Sequence, residues 1–106
     1  MEKWVLQVMT GENWEHVLMM VKQNLERVDL KVVALGKAVV PLFAPGKVRQ
    51  AMEEAVANGL NLEICTVSME GAGLSGAELP KGATAQPGLV AISEARQQGY
   101  TYFVVA

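Results

Sequence analysis

Apolar and polar positions along the chain switch between a period of two and a period near 3.6, and the switches divide it into alternating strands and helices. Lys3 to Met9, apolar after Lys3 except for Gln7, reads as a first strand. Thr10-Gly11-Glu12-Asn13 turns the chain. Trp14, Val17, Leu18, Val21, Leu25 and Val28 then recur at helical spacing as one stripe. This predicts a core-facing helix, capped by Asn13 or Thr10 and running to about Arg27. Val28-Asp29-Leu30 is expected to be a short connection. Lys31 to Leu35 reads as a second strand, apolar on both faces, as in a parallel sheet covered by helices on both sides. Gly36 permits a tight turn where that strand ends. Ala38 to Phe43 is apolar but too irregular for a long core helix. Pro45 to Asn58 reads as a second long helix, with Val48, Ala51, Met52, Ala55 and Val56 inward and Arg49, Glu53 and Glu54 outward. Gly59 suits the left-handed position that closes it.

The third strand shows the clearest alternation. Leu60, Leu62 and Ile64 share one face, and Asn61, Glu63 and Cys65 the other. Ser68 is placed to cap a short helix beginning near Met69. Gly71, Gly73 and Gly76 lie in a glycine-rich segment reaching Gly82, which reads as an ordinary connection or as a lid over the strand end. Gly82 to Gln86 reads as a small strand. Pro87-Gly88 opens a helix running through Gln98, and Tyr100 to Val105, aromatic and β-branched, is the last strand. The order β-α-β-α-β-(short α)-β-α-β predicts a single α/β domain over residues 1–106, with flavodoxin-like alternation, a mostly parallel sheet of about five strands and right-handed crossovers.

Composition narrows the function classes. At 51 % hydrophobic and 19 % charged residues the chain is globular. A net charge of −2 gives no case for nucleic acid as a partner. The N-terminal residues carry no signal-peptide pattern, and no apolar run approaches the ~20 residues that span a bilayer. No membrane partner is expected, and the expected location is the cytoplasm, where a thiol stays reduced. No phosphate-binding Gly-x-x-x-x-Gly-Lys-Ser/Thr loop is present. His16 is the only histidine and has no second ligand nearby in sequence, so no metal motif is seen; sulfur transfer by a cysteine would need no metal or organic cofactor, and none is expected. Met19 and Met20, on the polar side of the first helix, suggest a protein contact.

Candidate chemistry gathers at Cys65, the only cysteine. It ends a strand, where ligands of open α/β sheets collect. It also precedes a helix N-terminus, whose partial positive charge favours thiolate. Glu63 and Glu70 act against thiolate. The residues leave two readings open: a small buried hydrophobe or a reactive thiol. Around it, Thr10, Gly36, Lys37, Thr66 and Ser68 are candidates for binding a substrate or an anion at the strand ends.

Cys65-Thr66-Val67-Ser68-Met69, then Gly73-Leu74-Ser75, Leu79, Pro87-Gly88 and the closing Gln97-Gln98-Gly99-Tyr100-x-Tyr102, together resemble the second half of the DsrE/DsrF-like family of small, YchN-like α/β proteins. Val32-Val33-Ala34-Leu35-Gly36-x-Ala38-Val39 resembles its first half. The resemblance implies a three-layer α/β/α fold, a trimer or hexamer, and a sulfur-relay role in which Cys65 carries sulfur as a persulfide between a donor and an acceptor protein. Two other readings stand beside it. One is a non-catalytic module whose strand ends bind an anionic metabolite or nucleotide. The other is an oligomeric scaffold in which the cysteine is incidental. Composition independently suggests a homo-oligomer: a domain of this size buries only about 60–70 % of its unfolded surface. The apolar Ala38–Phe43 segment, with Met20, is then expected at the subunit contacts.

Overall fold

The computed structural model describes residues 1–106. Five strands form one sheet: β1 (Glu2–Val8), β2 (Val28–Ala34), β3 (Asn61–Cys65), β4 (Thr84–Gln86) and β5 (Thr101–Val104). Their order is β4-β3-β2-β1-β5, and every neighbouring pair is parallel. The helices are α1 (Trp14–Asn24), α2 (Lys47–Ala57), α3 (Thr66–Gly71) and α4 (Gly88–Gln97), with a 3-10 helix at Gly36–Leu42. The expected α/β class and parallel pairing are both observed.

Strand order decides where the helices lie. The first three crossovers step in one direction across the sheet, and the last returns from β4 past the others to β5. Right-handed connections put outward and return crossovers on opposite faces. The core divides accordingly. On one face Leu6, Val32 and Leu62 stand in register across three strands and pack under Trp14, Val17 and Val21 of α1 and Met52 of α2. On the other, Val5, Val33, Leu35 and Cys65 pack under Ala91, Ile92 and Ala95 of α4.

Several expectations need correction. Val28-Asp29-Leu30 is strand, not connection: Val28 pairs with Glu2 and Leu30 with Trp4, and both side chains are buried. Val28 falls at helical spacing after Leu25 and also begins a period-2 run, and pairing with β1 decides between them. Helix α1 therefore stops at Asn24, and neither candidate cap closes its start. Asn13 donates instead to the Thr10 hydroxyl at 3.4 Å.

The apolar segment after β2 is not a surface patch. Ala38, Val39 and Leu42 are fully buried in the larger core, Phe43 packs against it, and Val40 is exposed. A 3-10 turn repeats every three residues, so Val39 and Leu42 face the same way. The Trp14 indole N–H fixes this turn by donating to the Ala38 carbonyl at 2.9 Å.

The glycine-rich segment after α3 is tied down on the α2 side. The Arg49 guanidinium donates to the carbonyls of Leu42, Glu78 and Leu79 at 3.1–3.3 Å. Glu53 accepts from the Lys81 N–H at 2.6 Å. Leu74 and Leu79 pack against the larger core, on the opposite face of the sheet from the thiol. The segment is a connection and not a lid over Cys65. No helix is long and apolar enough to cross a membrane.

Trp14→Phe should cost about 1–3 kcal/mol, because it leaves a buried carbonyl without its donor. Denaturant unfolding at constant slope measures this, and an unchanged midpoint would show that the Trp14–Ala38 bond does not hold α1 to the 3-10 turn.

Candidate thiol site at the strand ends

The alternation of β3 sets the site. With Leu62 and Ile64 in the larger core, Cys65 turns to the α4 face and is 5 % exposed. Cys65 also occupies the N-cap position of α3, and its own sulfur accepts the Ser68 N–H at 3.5 Å. This corrects the expectation for Ser68: the cysteine caps the helix, and the Ser68 hydroxyl accepts the Gly36 N–H at 2.7 Å.

A second donor comes from the other side of the sheet. Gln86 is the register partner of Cys65, and two residues later Gly88 begins α4. The Gly88 N–H donates to the Cys65 sulfur at 3.2 Å. The connection leaving β3 runs to one face and that leaving β4 to the other. Cys65 therefore stands where the direction of the crossovers reverses, the usual place for a ligand crevice in an open α/β sheet.

Gly88 cannot be replaced without movement. A Cβ there would stand 2.3 Å from Leu35 Cδ2 and 3.2 Å from Cys65 Cβ. The missing side chain brings the α4 backbone close enough for its N–H to reach the sulfur.

These contacts decide the protonation of the thiol. Burial pushes its pKa up. Against that act the Ser68 hydroxyl and the N–H groups of Ser68, Gly88 and Val67, all donating to the charged form. The donors prevail, and the pKa is lowered. The expected opposition from Glu63 is defused, because its carboxylate pairs with Lys31 at 3.4 Å and accepts from Gln86 at 2.6 Å. Glu70 is exposed on α3.

The remaining candidates line the same end of the sheet. Gly36 follows β2 with φ of 57° and touches Ser68. Thr66 is the first residue of α3. Thr10 and Lys37 are exposed, and Gly11 packs against the Lys37 carbonyl. The ends of β1, β2 and β3 therefore converge, although the Lys37 ammonium makes no hydrogen bond or ion pair with the sulfur. No three His, Cys, Asp or Glu side chains stand close enough to hold a metal ion. Gly88, which donates to the sulfur, and Leu35, which packs against Gly88, are the residues that sequence reasoning did not place here. Pro87-Gly88 marked a helix start, and only the strand order puts that start beside Cys65.

The rim around the site is apolar. Nine large apolar side chains are exposed, and six of them, Met9, Val40, Val67, Leu89, Val90 and Val104, lie at or just after the carboxyl ends of the strands. Because all five strands are parallel, these ends share one side of the molecule with Cys65. Leu89 is 78 % and Val67 63 % exposed.

Gly88→Ala should move the α4 backbone off the sulfur and raise the thiol pKa. The alkylation rate of Cys65, followed against pH, should then reach its midpoint at higher pH than in the wild type. The same change should cost about 1–3 kcal/mol of stability through overpacking. An unmoved midpoint in a folded variant would mean that the Gly88 N–H does not stabilise the thiolate.

No family model matches the chain, and no curated protein matches it significantly. Solved structures do share the fold. A protein of unknown function from Methanobacterium thermoautotrophicum, MTH1491, superposes with a TM-score of 0.83 at 20 % identity, covering 99 % of this chain and 100 % of that one. The YchN protein of E. coli gives 0.78 at 18 % identity, with 98 % of each chain covered. A conserved protein of unknown function from Bacteroides thetaiotaomicron, BT1422, gives 0.83 at 15 % identity, covering 98 % of this chain and 95 % of that one. The fold of this chain is therefore YchN-like, along essentially its whole length.

Proposed function

We propose that the chain is a DsrE-like cytoplasmic sulfur carrier, in which Cys65 takes up a sulfane sulfur and passes it on. The observation that carries the reading is the convergence of hydrogen-bond donors from two helix starts, on opposite faces of the sheet, onto one thiol. A buried thiol serving only as core filler does not need backbone donors from both sides, whereas a thiolate does. The YchN-like fold and the family resemblance around Cys65 support the same reading.

The chemistry needs no cofactor. The Cys65 thiolate attacks the outer sulfur of a donor persulfide, R–S–SH. A new S–S bond forms, the donor's S–S bond breaks, and R–S⁻ leaves with its electron pair, giving Cys65–S–SH. Attack on that outer sulfur by an acceptor thiolate returns Cys65 to thiolate. Each step is a thiol–disulfide exchange without net oxidation. Access is the constraint on this route. With Cys65 5 % exposed, a donor reaches the sulfur only if the first turns of α3 and α4, carrying Val67 and Leu89, give way.

The apolar rim supports assembly with a second copy of this chain, burying the carboxyl ends of the strands. This moves the proposed contact away from Phe43, which packs on the chain's own core, to Val67, Leu89 and Val104. The trimer or hexamer implied by the family resemblance is compatible with such a contact.

Incubation with a persulfide donor should add the mass of one sulfur atom to the protein but not to Cys65→Ser. Intact mass measures it, and an unmodified wild type under conditions that load a known carrier would sink the proposal.

Light scattering should give a mass several times 11.4 kDa, reduced by Leu89→Glu. A wild-type monomer at micromolar concentration would rule out the assembly.

A further inference from the structure

We propose that the free edge of β5 takes a second copy of this chain, the two β5 strands pairing antiparallel across a two-fold axis and joining two sheets into one. The contact is separate from the apolar rim at the strand ends and independent of the chemistry of Cys65.

The two edges of the sheet are built differently. At one, β4 is three residues long, presents Thr84 and Gln86, and is followed at once by Pro87, which has no N–H to give. Shortness, polar side chains and proline are what keep a sheet edge from pairing. At the other edge, β5 has neither charge nor proline nor glycine along Thr101–Val104. It packs on β1 and α4. Phe103 is 40 % and Val104 64 % exposed.

The backbone of β5 decides how a partner strand would sit. Gln7 of β1 is the register partner of Val104, and its carbonyl accepts the Val105 N–H at 3.0 Å. Backbone groups alternate in direction along a strand. Thr101, Phe103 and Val105 therefore turn theirs to β1, and the N–H and C=O of Tyr102 and Val104 point away from the sheet. A two-fold axis through Phe103 sets Tyr102 of each copy opposite Val104 of the other. Each such pair exchanges two hydrogen bonds, and every outward N–H and C=O of these residues is used. An axis through Tyr102 or Val104 would not pair the two residues with each other.

The side chains match under the same axis. Phe103 lies on the face covered by α1 and α2, beside its register partner Leu6, and meets the Trp4 ring edge-on at 5.5 Å between centroids. Across the axis it faces its own counterpart. On the α4 face, Tyr102 of each copy meets Val104 of the other. Aromatic–aromatic and aromatic–β-branched pairs stabilise antiparallel neighbours, whereas like charges placed opposite each other destabilise them. No charged side chain lies on β5, so the strand complements itself and needs no partner of different sequence. Because β4 is protected, the pairing closes at two chains and does not run on into a fibre.

Amide hydrogen exchange of the full-length wild type, read residue by residue, tests the pairing without any substitution. Phe103 and Val105, bonded to β1, should be protected at every concentration. Tyr102 and Val104 should exchange freely in dilute protein. They should slow by about tenfold or more well above the dimer dissociation constant, because only the unpaired chain then exchanges. Light scattering on Leu89→Glu, which removes the rim contact, should still give twice 11.4 kDa. Adding Phe103→Lys, a charge that blocks edge pairing, should reduce that mass to one chain. Tyr102 and Val104 amides unprotected at every concentration overturn the edge pairing, even where the chain associates through its rim. A Leu89→Glu protein that is monomeric throughout, or protection that Phe103→Lys leaves unchanged, overturns it as well. Protected edge amides in a protein whose mass Leu89→Glu does not lower would support the edge pairing and count against the rim alone.

Discussion

The hydrogen bond from the Gly88 N–H to the Cys65 sulfur depends on the order of the whole sheet. It exists because the chain lays down four strands in one direction and then reverses to place the fifth at the opposite edge. Reversal sends the crossover after β4 to the face that α3 does not occupy. Two helix starts then meet the end of β3 from opposite sides, and the residue there receives donors from both. Had β5 been added beside β4, with its crossover on the same face as the others, α4 would lie away from the sulfur. The thiol would then keep only the cap of its own short helix.

Much of this was legible in the residues. The period-2 run through Leu62 and Ile64 already put Cys65 on the face away from the larger core. The doubly apolar run through Val32 and Val33 already required cover on both sides of β2, and both are fully buried there. What was not legible depended on contacts far apart in sequence. Val28 fits a helical stripe and a strand equally well until β1 lies beside it. Ala38–Phe43 looked like surplus apolar surface because the length of the first helix does not reveal that Trp14 sits under the following turn. Gly88 was readable as a helix start but not as a partner of the thiol, because no local pattern encodes the strand order.

The two cores also differ in character. The larger contains Trp14, Leu42, Met52 and Leu62 and anchors α1 and α2. The smaller contains Val5, Val33, Leu35, Cys65 and three α4 residues, of which two are alanine. Small residues let α4 lie close to the sheet, and at Gly88 the approach is close enough for backbone to touch sulfur. Lower on the same face the sheet is polar: Lys31 pairs with Glu63 and lies over the Tyr100 ring, and Tyr102 donates to Gln7. The face that holds the thiol is thus closely packed at the carboxyl ends of the strands and hydrogen-bonded below, and the Glu63 charge is held within the polar part.

How the thiolate is favoured follows from that division. A cation beside the sulfur would act over several ångströms and weaken as salt is added. Here Lys37, in the 3-10 turn that follows β2, is solvent-exposed and makes no hydrogen bond to the sulfur. Donors on α3 and α4 do the stabilising, and each acts over a single hydrogen bond. Such donors are carried by the fold, so they are present before any substrate arrives and need no reorganisation when charge develops. They are also local, and a small displacement of either helix start removes them. Access to the sulfur and stabilisation of its charge therefore oppose each other, because the turns carrying Val67 and Leu89 that must give way to admit a donor are the same turns whose N–H groups hold the thiolate. A partner that separates Leu89 from Val67 without shifting the backbone at Ser68 and Gly88 would satisfy both demands, and both of these apolar side chains stand exposed where such a partner would meet them.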